Sequence, residues 1–508
     1  MKSLQALLAA IVIQSPTMSS LSVPILQLDA SQAILELPTL KAPAGLPVPN
    51  STHSFWINTP GANPLAKEGS EGDLTLDADV CIIGAGITGV SAAYHLAKQL
   101  GARDDDDAPT VKAVILEARD FCSGATGRNG GHLTPVVFSH FSDRAKTYGT
   151  EEAKKIYALE HYTADELLKI IEAQGLQTIV DLVASDHIGL LVTEKEVQDA
   201  KVDFDAAESA GVNVNDVTWL SKAEVKQTYG ASYPAWKHAG HNLWPLKLVT
   251  QLYHLTQKLS PRKFQLHLHT NTPVTSISPS TSVTTSTNSR RWSLATPRGA
   301  VQCSYVLHAT NAYASHLLPH MHGPTGIIPT RGQVMALRAA APTAEITTAS
   351  WGANQGFEYW FPRPAVHGGE SENPLIILGG GREASGPDFE TYVTDDSVVR
   401  EEVGKGLREF LPGLFPGKYE KGREPEMEWA SIRCFPRLVG PVLISNGNET
   451  IADDFKGQYI SAGYTGHGMP RAFACAEAVV GMITAEMAGE TWNPPNWLPR
   501  HFLTTERV

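Results

Sequence analysis

Between Asp77 and Glu117 a strand, a glycine-rich turn, a helix, a second strand and an acid follow one another, and few folds accommodate that order. Ala78-Asp79-Val80-Cys81-Ile82-Ile83 is a short, nearly continuous apolar run, the pattern of a parallel strand buried on both faces. Gly84-Ala85-Gly86-Ile87-Thr88-Gly89 comes next and fits G-x-G-x-x-G. Ile87, Val90, Tyr94 and Ala97 then recur at helical spacing, and Lys112-Ala113-Val114-Ile115-Leu116 reads as a second buried strand. Together they make one βαβ unit, its return lengthened by the Asp104 to Asp107 run, which reads as a solvated loop.

Glycine is common, so the pattern gains its meaning from that context. Gly84 permits the tight turn, Gly86 lets the backbone approach a pyrophosphate, and Gly89 lets the helix pack on the strand. The free N–H groups where the helix opens, at Ile87 and Thr88, then face the diphosphate. Glu117 ends the second strand, where a carboxylate accepts hydrogen bonds from ribose hydroxyls. It lies 28 residues after Gly89 (117 − 89), more than the usual spacing of about 20, and the Asp104 to Pro109 insertion accounts for the excess. NAD and FAD share this fingerprint, so the next segment bears on the choice. Cys122-Ser123-Gly124-Ala125-Thr126-Gly127-Arg128-Asn129-Gly130-Gly131-His132 is rich in small residues that let the chain pass close to a diphosphate and a flavin ring. Thr126 and Asn129 offer hydrogen bonds there; the competing reading is a plain flexible loop.

A chain of 508 residues accommodates two domains or one large domain with insertions. Its 42% apolar and 19% charged residues suit a globular protein with a substantial core. A net charge of -12 argues against a nucleic-acid partner, since phosphate binding needs clustered Lys and Arg. Cys81, Cys122, Cys303, Cys434 and Cys475 form no CxxC pair, so neither a zinc site nor a redox dithiol is expected; the set reads as reduced thiols of an intracellular protein. Lys2 and the apolar run Leu4 to Ile13 resemble a signal peptide without a clear cleavage site, which leaves a cytoplasmic location as the expectation and secretion as the alternative. Sequons stand at Asn50 and Asn448. With no run of about 18 apolar residues, no transmembrane helix is expected.

Residues 1 to 75 are rich in Pro, Ser and Gly and read as an extension that wraps the surface or stays partly disordered. Helices are expected over Glu151 to Gln174, with Gly175 as its cap, and over Glu194 to Ala210, Leu246 to Leu259 and Met469 to Met487. Strands are expected at Ile188 to Val192, Val274 to Ile277, Ser304 to Ala309, Gln333 to Leu337, Leu375 to Leu378 and Gln458 to Ser461. The fold class is α/β, a discontinuous cofactor domain (76–175, 241–322 and 436–508) interrupted by a mixed-sheet domain (176–240 and 323–435).

Glu117-Ala118-Arg119 followed by Ala125-Thr126-Gly127-Arg128-Asn129-Gly130-Gly131 resembles the FAD-dependent D-amino-acid oxidase and glycine oxidase superfamily, in particular its D-amino-acid-dehydrogenase-like members. The likeness continues in order through Leu243-Trp244-Pro245, Thr272-Pro273-Val274, Ala309-Thr310-Asn311-Ala312 and Pro329-Thr330-Arg331-Gly332-Gln333, and ends at Ala462-Gly463-Tyr464-Thr465-Gly466-His467-Gly468-Met469. It implies a Rossmann-type FAD-binding domain (GR2-like) with a mixed β-sheet substrate domain. Ala118, Arg119, Ala125, Gly130, Gly131, His132, Ala309 and Asn311 belong to the implied cofactor-binding set. Val274 would meet the adenine through its backbone, and Gly463, His467, Gly468 and Met469 would form the turn at the final helix, beside the flavin's pyrimidine end. The positive end of that helix would favour negative charge on the reduced ring.

The resemblance also implies oxidation of a C–N bond in a small-molecule substrate, with oxygen or another electron acceptor reoxidising the flavin. Trp429-Ala430-Ser431-Ile432-Arg433 resembles the glycine-oxidase segment whose Arg binds the substrate carboxylate, a match of planar guanidinium to planar anion. The family's D-G-x-P-x-I-G stretch is replaced there by the shorter Cys434-Phe435-Pro436-Arg437-Leu438-Val439-Gly440, and a structural role for Arg433 is the competing reading. Tyr359, on Phe357-Glu358-Tyr359-Trp360-Phe361-Pro362-Arg363, is a candidate for the flavin face, with core packing as its alternative. His132 and His467 sit in flavin-lining motifs, as hydrogen-bonding groups or, alternatively, as points of covalent attachment. Three functions compete: amine or amino-acid oxidation, a monooxygenase or tailoring oxidase of a non-amine substrate, and a non-catalytic flavin-binding protein.

Overall fold

The computed structural model describes residues 42–102, 109–259, 262–280, 290–324, 326–364, 373–435, 438–442, 444–446, 449–451 and 453–506. The signal-like segment, the Asp104 to Asp107 run and the sequon at Asn448 lie outside them.

The first sheet grows from the βαβ unit. The strand Asp77–Ile83 runs parallel to Val111–Leu116 on one side and to Gly299–His308 on the other, Val80 lying opposite Ala113 and Tyr305. Phe264–His269 and Gln458–Ala462 extend it in parallel at the two sides, and Leu438–Pro441 closes one edge antiparallel. Val80 and Ile82 turn to a face where Leu96, Leu252 and Val479 of the helices Ile87–Gly101, Pro245–Lys258 and Ala472–Ala488 are buried. Cys81 and Ile83 turn to the other face, where the antiparallel pair Ser276–Pro279 and Trp292–Thr296 brings Trp292 and Leu294. A sheet covered on both faces is why the first strand reads as an unbroken apolar run.

The second sheet is mixed, in the order Met427–Phe435, Ile328–Arg338, Leu375–Gly380, Glu358–Pro362, Ser350–Ala353, Val183–Leu190, Ala235–Asn242 and Thr218–Leu220. Only Ser350–Ala353 and Val183–Leu190 pair in parallel. Met335, Leu337, Trp360, Ile376 and Leu378 pack under the helix Glu401–Leu414. The alternate residues Val334, Ala336, Phe361, Ile377 and Trp429 turn the other way, into the cluster shared with the first sheet.

The stretch 42–76 is mostly exposed or half-buried, with Ser54 and Trp56 fully buried as anchors on the short helix Phe55–Asn58 and its cap. Sparse polar composition had hidden one anchoring aromatic. Two expectations are corrected. The cysteines are not all reduced thiols, because Cys81 and Cys303 form a disulfide; the two lie on neighbouring strands that sequence separates by 222 residues. Cys122, Cys434 and Cys475 are buried and lie outside this disulfide. The strand expected at Val274 to Ile277 is Ser276–Pro279, and Val274 precedes it as irregular chain. Elsewhere the shifts are small: the last helix opens at Ala472 rather than Met469, and Val183–Leu190 starts earlier than expected.

Leu307, fully buried in the central strand, reports on this packing. Leu307→Ala is expected to lower stability by about 2–5 kcal/mol. Urea unfolding should show it as an earlier midpoint with an unchanged slope.

Candidate functional site

Gly84 adopts φ 113°, and a β-carbon there would stand 2.7 Å from the Ala309 carbonyl oxygen. Gly89 lies against the Gly84 carbonyl, and a β-carbon on Gly86 would press on Thr126 Oγ1 at 3.0 Å. Gly86 caps the helix Ile87–Gly101, and the Ile87 N–H donates to Thr126 Oγ1 at 3.0 Å, so the ring-side loop is tied to the helix N-terminus. Glu117 accepts from Ala85 N at 2.8 Å and from Arg119 N at 3.0 Å, which sets its carboxylate at the mouth of the glycine turn. Its carbonyl accepts from Thr272 N at 2.8 Å, bringing the segment of Val274 alongside Glu117 and Ala118. Thr88 Oγ1 donates to Tyr464 Oη at 3.0 Å, joining the helix start to the Gly463 to Met469 turn.

The loop Ala125 to His132 is stiffened from within: Asn129 Nδ2 donates to the Thr126 carbonyl at 3.0 Å and Gly131 N donates to Asn129 Oδ1 at 2.7 Å. It is also held from outside by the N-terminal segment. Ser54 Oγ donates to the Gly127 carbonyl at 2.6 Å and Trp56 Nε1 to that of Asn129 at 2.5 Å. Trp244 Nε1 donates to the Trp56 carbonyl at 2.9 Å. Arg128 reaches Ser51 and Thr52 on the same segment and the Ala430 carbonyl of the second sheet. Burial pulls its pKa down to about 10, against the pull of Asp396. Arg119 turns its side chain from the dinucleotide turn to Asp396, at 2.9 Å.

His132 Nδ1 donates to the Gly130 carbonyl at 3.1 Å, and the ring packs edge-on to Tyr359 and Phe361. Burial drives its pKa to about 4, so it is neutral at pH 7. Tyr359 lies flat over Gly130 and Gly379, where a β-carbon on either glycine would collide with its ring. Arg433 lies beside Gly332 and Gly466, with Nη1 2.9 Å from where a Gly466 β-carbon would be. Its Nε is buried without a hydrogen-bond partner, and burial lowers its pKa against the opposing fields of Tyr359 and Glu383. Asn311, at φ 48°, accepts through Oδ1 from Cys434 Sγ at 2.9 Å and from Gly463 N at 3.4 Å. Gly468 and Met469 lead into the last helix, the Gly468 carbonyl accepting from Ala472 N at 2.8 Å.

His467 Nδ1 stands 3.0 Å from Glu160 Oε2. Glu160 is fully buried mid-helix, accepts from Val136 N at 2.8 Å and from Arg471 Nε at 2.7 Å, and is ion-paired with Arg471. Burial pushes its carboxyl up, but Arg471 and His467 outweigh that and hold it below the carboxylate range. Among the described residues no group of three or more His, Cys, Asp or Glu is placed to hold a metal ion, and no helix is long and apolar enough to cross a membrane.

Thus Gly84, Gly86, Ile87, Thr88, Gly89, Glu117, Thr126 and Asn129 converge on one turn and the loop facing it. Tyr359, Arg433, Gly130 and His132 gather where the second sheet meets that loop, while His467 lies beside Glu160. Trp56 and Glu160 carry no sequence signal: Trp56 stands in a polar stretch and Glu160 on an ordinary amphipathic helix.

A turn too tight for β-carbons, an acid at its mouth and a small-residue loop opposite fit the diphosphate, ribose and ring of FAD. These features define a Rossmann-type flavoprotein. The sequence model of the family described as FAD dependent oxidoreductase (DAO) matches residues 79–482, and the chain belongs to that family. Gamma-glutamylputrescine oxidoreductase of Escherichia coli (strain K12) is 34% identical over 82 residues, 16% of this chain and 17% of its own length. The MnmC bifunctional tRNA 5-methylaminomethyl-2-thiouridine biosynthesis protein of Hydrogenovibrio crunogenus is 22% identical over 417 residues, 80% of this chain and 55% of its own. The match thus spans under a fifth of the first relative and about half of the second. Among solved structures, glycine oxidase from Bacillus cereus superposes with TM-score 0.59 at 17% identity, covering 80% of this chain and 95% of that one. L-amino acid deaminase from Proteus myxofaciens gives 0.61 at 15% identity, covering 92% and 99%. These likenesses establish a shared fold.

Glu117→Ala is expected to weaken FAD binding about 10-fold or more, a hydrogen bond to a charged group being worth ~1.5–3 kcal/mol. Reconstitution of apoprotein with FAD, followed by flavin fluorescence, measures it. Glu160→Gln strands the buried Arg471 and should cost about 3–5 kcal/mol at pH 7. An unfolded glutamate titrates near 4.3, about the point above which the full contribution is present. The folded value lies lower, so the contribution is lost as pH falls through it. The gap between wild type and variant in urea unfolding should therefore close in acid.

Proposed function

We propose that this FAD-dependent oxidoreductase oxidises the C–N bond of an amine or amino acid to an imine, which water then hydrolyses to a carbonyl compound. FAD when bound supplies the hydride acceptor at N5. The chain's own residues bind, orient and exclude water, and the reaction asks for no strong acid or base from them. Arg433 anchors the substrate carboxylate, Tyr359 forms the wall over the ring-side loop, and His467 stands by the turn of the last helix. Gly84, Gly86 and Glu117 hold the ADP half.

The observation carrying this reading is the half-buried Arg433 between Gly332 and Gly466, its Nε out of solvent and without a partner. An arginine kept for fold stability alone would be expected to have a partner. The relatives' names are in keeping with it, referring to gamma-glutamylputrescine, glycine and L-amino acids.

Anaerobic mixing of the yellow holoprotein with a panel of amines and amino acids tests it, with peroxide and an artificial acceptor dye read in parallel. At least one substrate should bleach the flavin without added NAD(P)H. A flavin that bleaches only with NAD(P)H would point instead to a monooxygenase and refute the proposal.

A further inference from the structure

Three glycines on the face of the second sheet turned to the ring-side loop have a neighbour that requires them. A β-carbon would come within 2.4 Å of the Trp236 ring at Gly189, 2.4 Å of the Tyr359 ring at Gly379 and 2.9 Å of His187 Cβ at Gly240. Gly352 shares that face, opposite Tyr359 in register, and no such neighbour crowds it. A β-carbon there would meet nothing nearer than His187 Nε2, at 3.6 Å, and its φ is not positive. A glycine inside a strand weakens it and often marks the close approach of another molecule.

Rings stand around the bare Gly352. His187 lies opposite Ser350 in register, and its Nδ1 is 2.8 Å from Ser350 Oγ, which leaves the Nε2 edge beside Gly352. Tyr359 rises from the strand on the other side. His132, on the ring-side loop, closes over both, edge-on to His187 with centroids 6.1 Å apart and to Tyr359 at 5.6 Å. The strands of His187 and Tyr359 lie two strand spacings apart, about 9–10 Å, and at Gly352 the strand between them offers no side chain to fill that width. Gly352, Tyr359, His187 and His132 are each half-buried, while Ser350, Trp351, Ala353, Trp360 and Phe361 around them are buried, so the exposure belongs to a recess. Two residues further out, Ser185 Oγ and Thr348 Oγ1, 3.0 Å apart, mark its solvent end. Burial brings the His132 pKa to about 4 and takes that of His187 well below its ordinary value, so both imidazoles are uncharged at pH 7. An ammonium or carboxylate entering would lose its water and meet no opposite charge on these rings, whereas a flat ring would exchange water for ring faces and edges.

We propose that the recess over Gly352, walled by His187, Tyr359 and His132, receives the side chain of the substrate, and that it selects an uncharged aromatic one. This names the substrate class for the reaction proposed above and rests on that reading.

The test is equilibrium binding to the FAD-loaded protein, read by calorimetry and by the visible difference spectrum of the flavin. Hydrocinnamate, propionate, succinate and β-alanine serve as probes. They share one carboxylate and differ at the far end, which carries a phenyl ring, a hydrogen, a second carboxylate or an ammonium group. Hydrocinnamate should bind at least ~10-fold more tightly than each of the other three. Gly352→Val fills the recess from its floor and should cut the preference over propionate ~10-fold, with Gly352→Ala cutting it ~3-fold. Hydrocinnamate that binds no better than propionate overturns the proposal, and so does a preference that Gly352→Val leaves intact. Should Gly352→Val fail to fold, Gly352→Ala and the wild-type probe series decide alone. A Gly352-dependent preference for the phenyl ring, in a protein whose flavin no amine or amino acid bleaches, would refute the proposed reaction and leave this recess standing. Turnover of amines with no preference for aromatic ones would do the reverse.

Discussion

Asp396 lies beneath two guanidiniums, and the site is assembled around that knot. Arg119 Nη1 stands 2.9 Å from Oδ1 and Arg128 Nε 3.6 Å from Oδ2, with the side chains of Arg128 and Asp396 almost wholly buried. Arg119 comes from the segment after the ribose acid, Arg128 from the ring-side loop, and Asp396 from the chain that runs into the helix Glu401–Leu414 behind the second sheet. The Asp396 carbonyl accepts from Thr52 N at 2.8 Å, so the N-terminal segment joins the same knot. A lone buried pair recovers little beyond its desolvation. Here one carboxylate is shared, and neither loop can move off without stranding a cation. The two ends of the dinucleotide cradle are thereby fixed to each other and to the sheet that carries Tyr359 and Arg433.

Around that frame the buried titratable groups divide into two kinds. The histidines are made neutral: burial brings His132 and His238 to about 4 and takes His187 well below its ordinary value. Burial lowers the pKa of the Arg382 and Arg433 guanidiniums, that of Arg382 to about 9. Glu160 is the exception on the acidic side, kept ionised by Arg471 and His467 although no part of it meets solvent. The wall facing the ring-side loop thus presents an uncharged imidazole, that of His132, beside Gly130.

The cofactor half was legible because its chemistry is local. Gly84, Gly86, Gly89 and Glu117 lie within one βαβ unit, where spacing alone dictates which residue meets which phosphate or ribose. The second sheet was legible in part: strands were expected at Ile188 to Val192, Gln333 to Leu337 and Leu375 to Leu378, but not at Thr218–Leu220, Ala235–Asn242, Ser350–Ala353 or Met427–Phe435, and not as an order. No periodicity says that Ser350–Ala353 runs parallel to Val183–Leu190, or that Glu358–Pro362 sits between it and Leu375–Gly380. Arg433 entered through resemblance to the family's segment Trp429 to Arg433. Cys81 and Cys303 were misread because spacing in the chain conceals adjacency in a parallel sheet. Trp56 failed differently. Two adjacent aromatics, Phe55 and Trp56, in a stretch of Pro, Ser and Gly leave no period to detect, yet Trp56 fills the gap behind Gly131 and Phe361.

The strap at Ser51 to Trp56 also imposes an order of events on folding. Ribosomes produce it early, but its partners come much later: Trp244 is 188 residues downstream, and Ala430, whose N–H is received by Thr52 Oγ1, is 378. Until those arrive, the Trp56 carbonyl and the Thr52 hydroxyl stay hydrated instead of paired. The earliest part of the described chain to leave the ribosome is therefore among the last to find its place, and closing it locks the two sheets together.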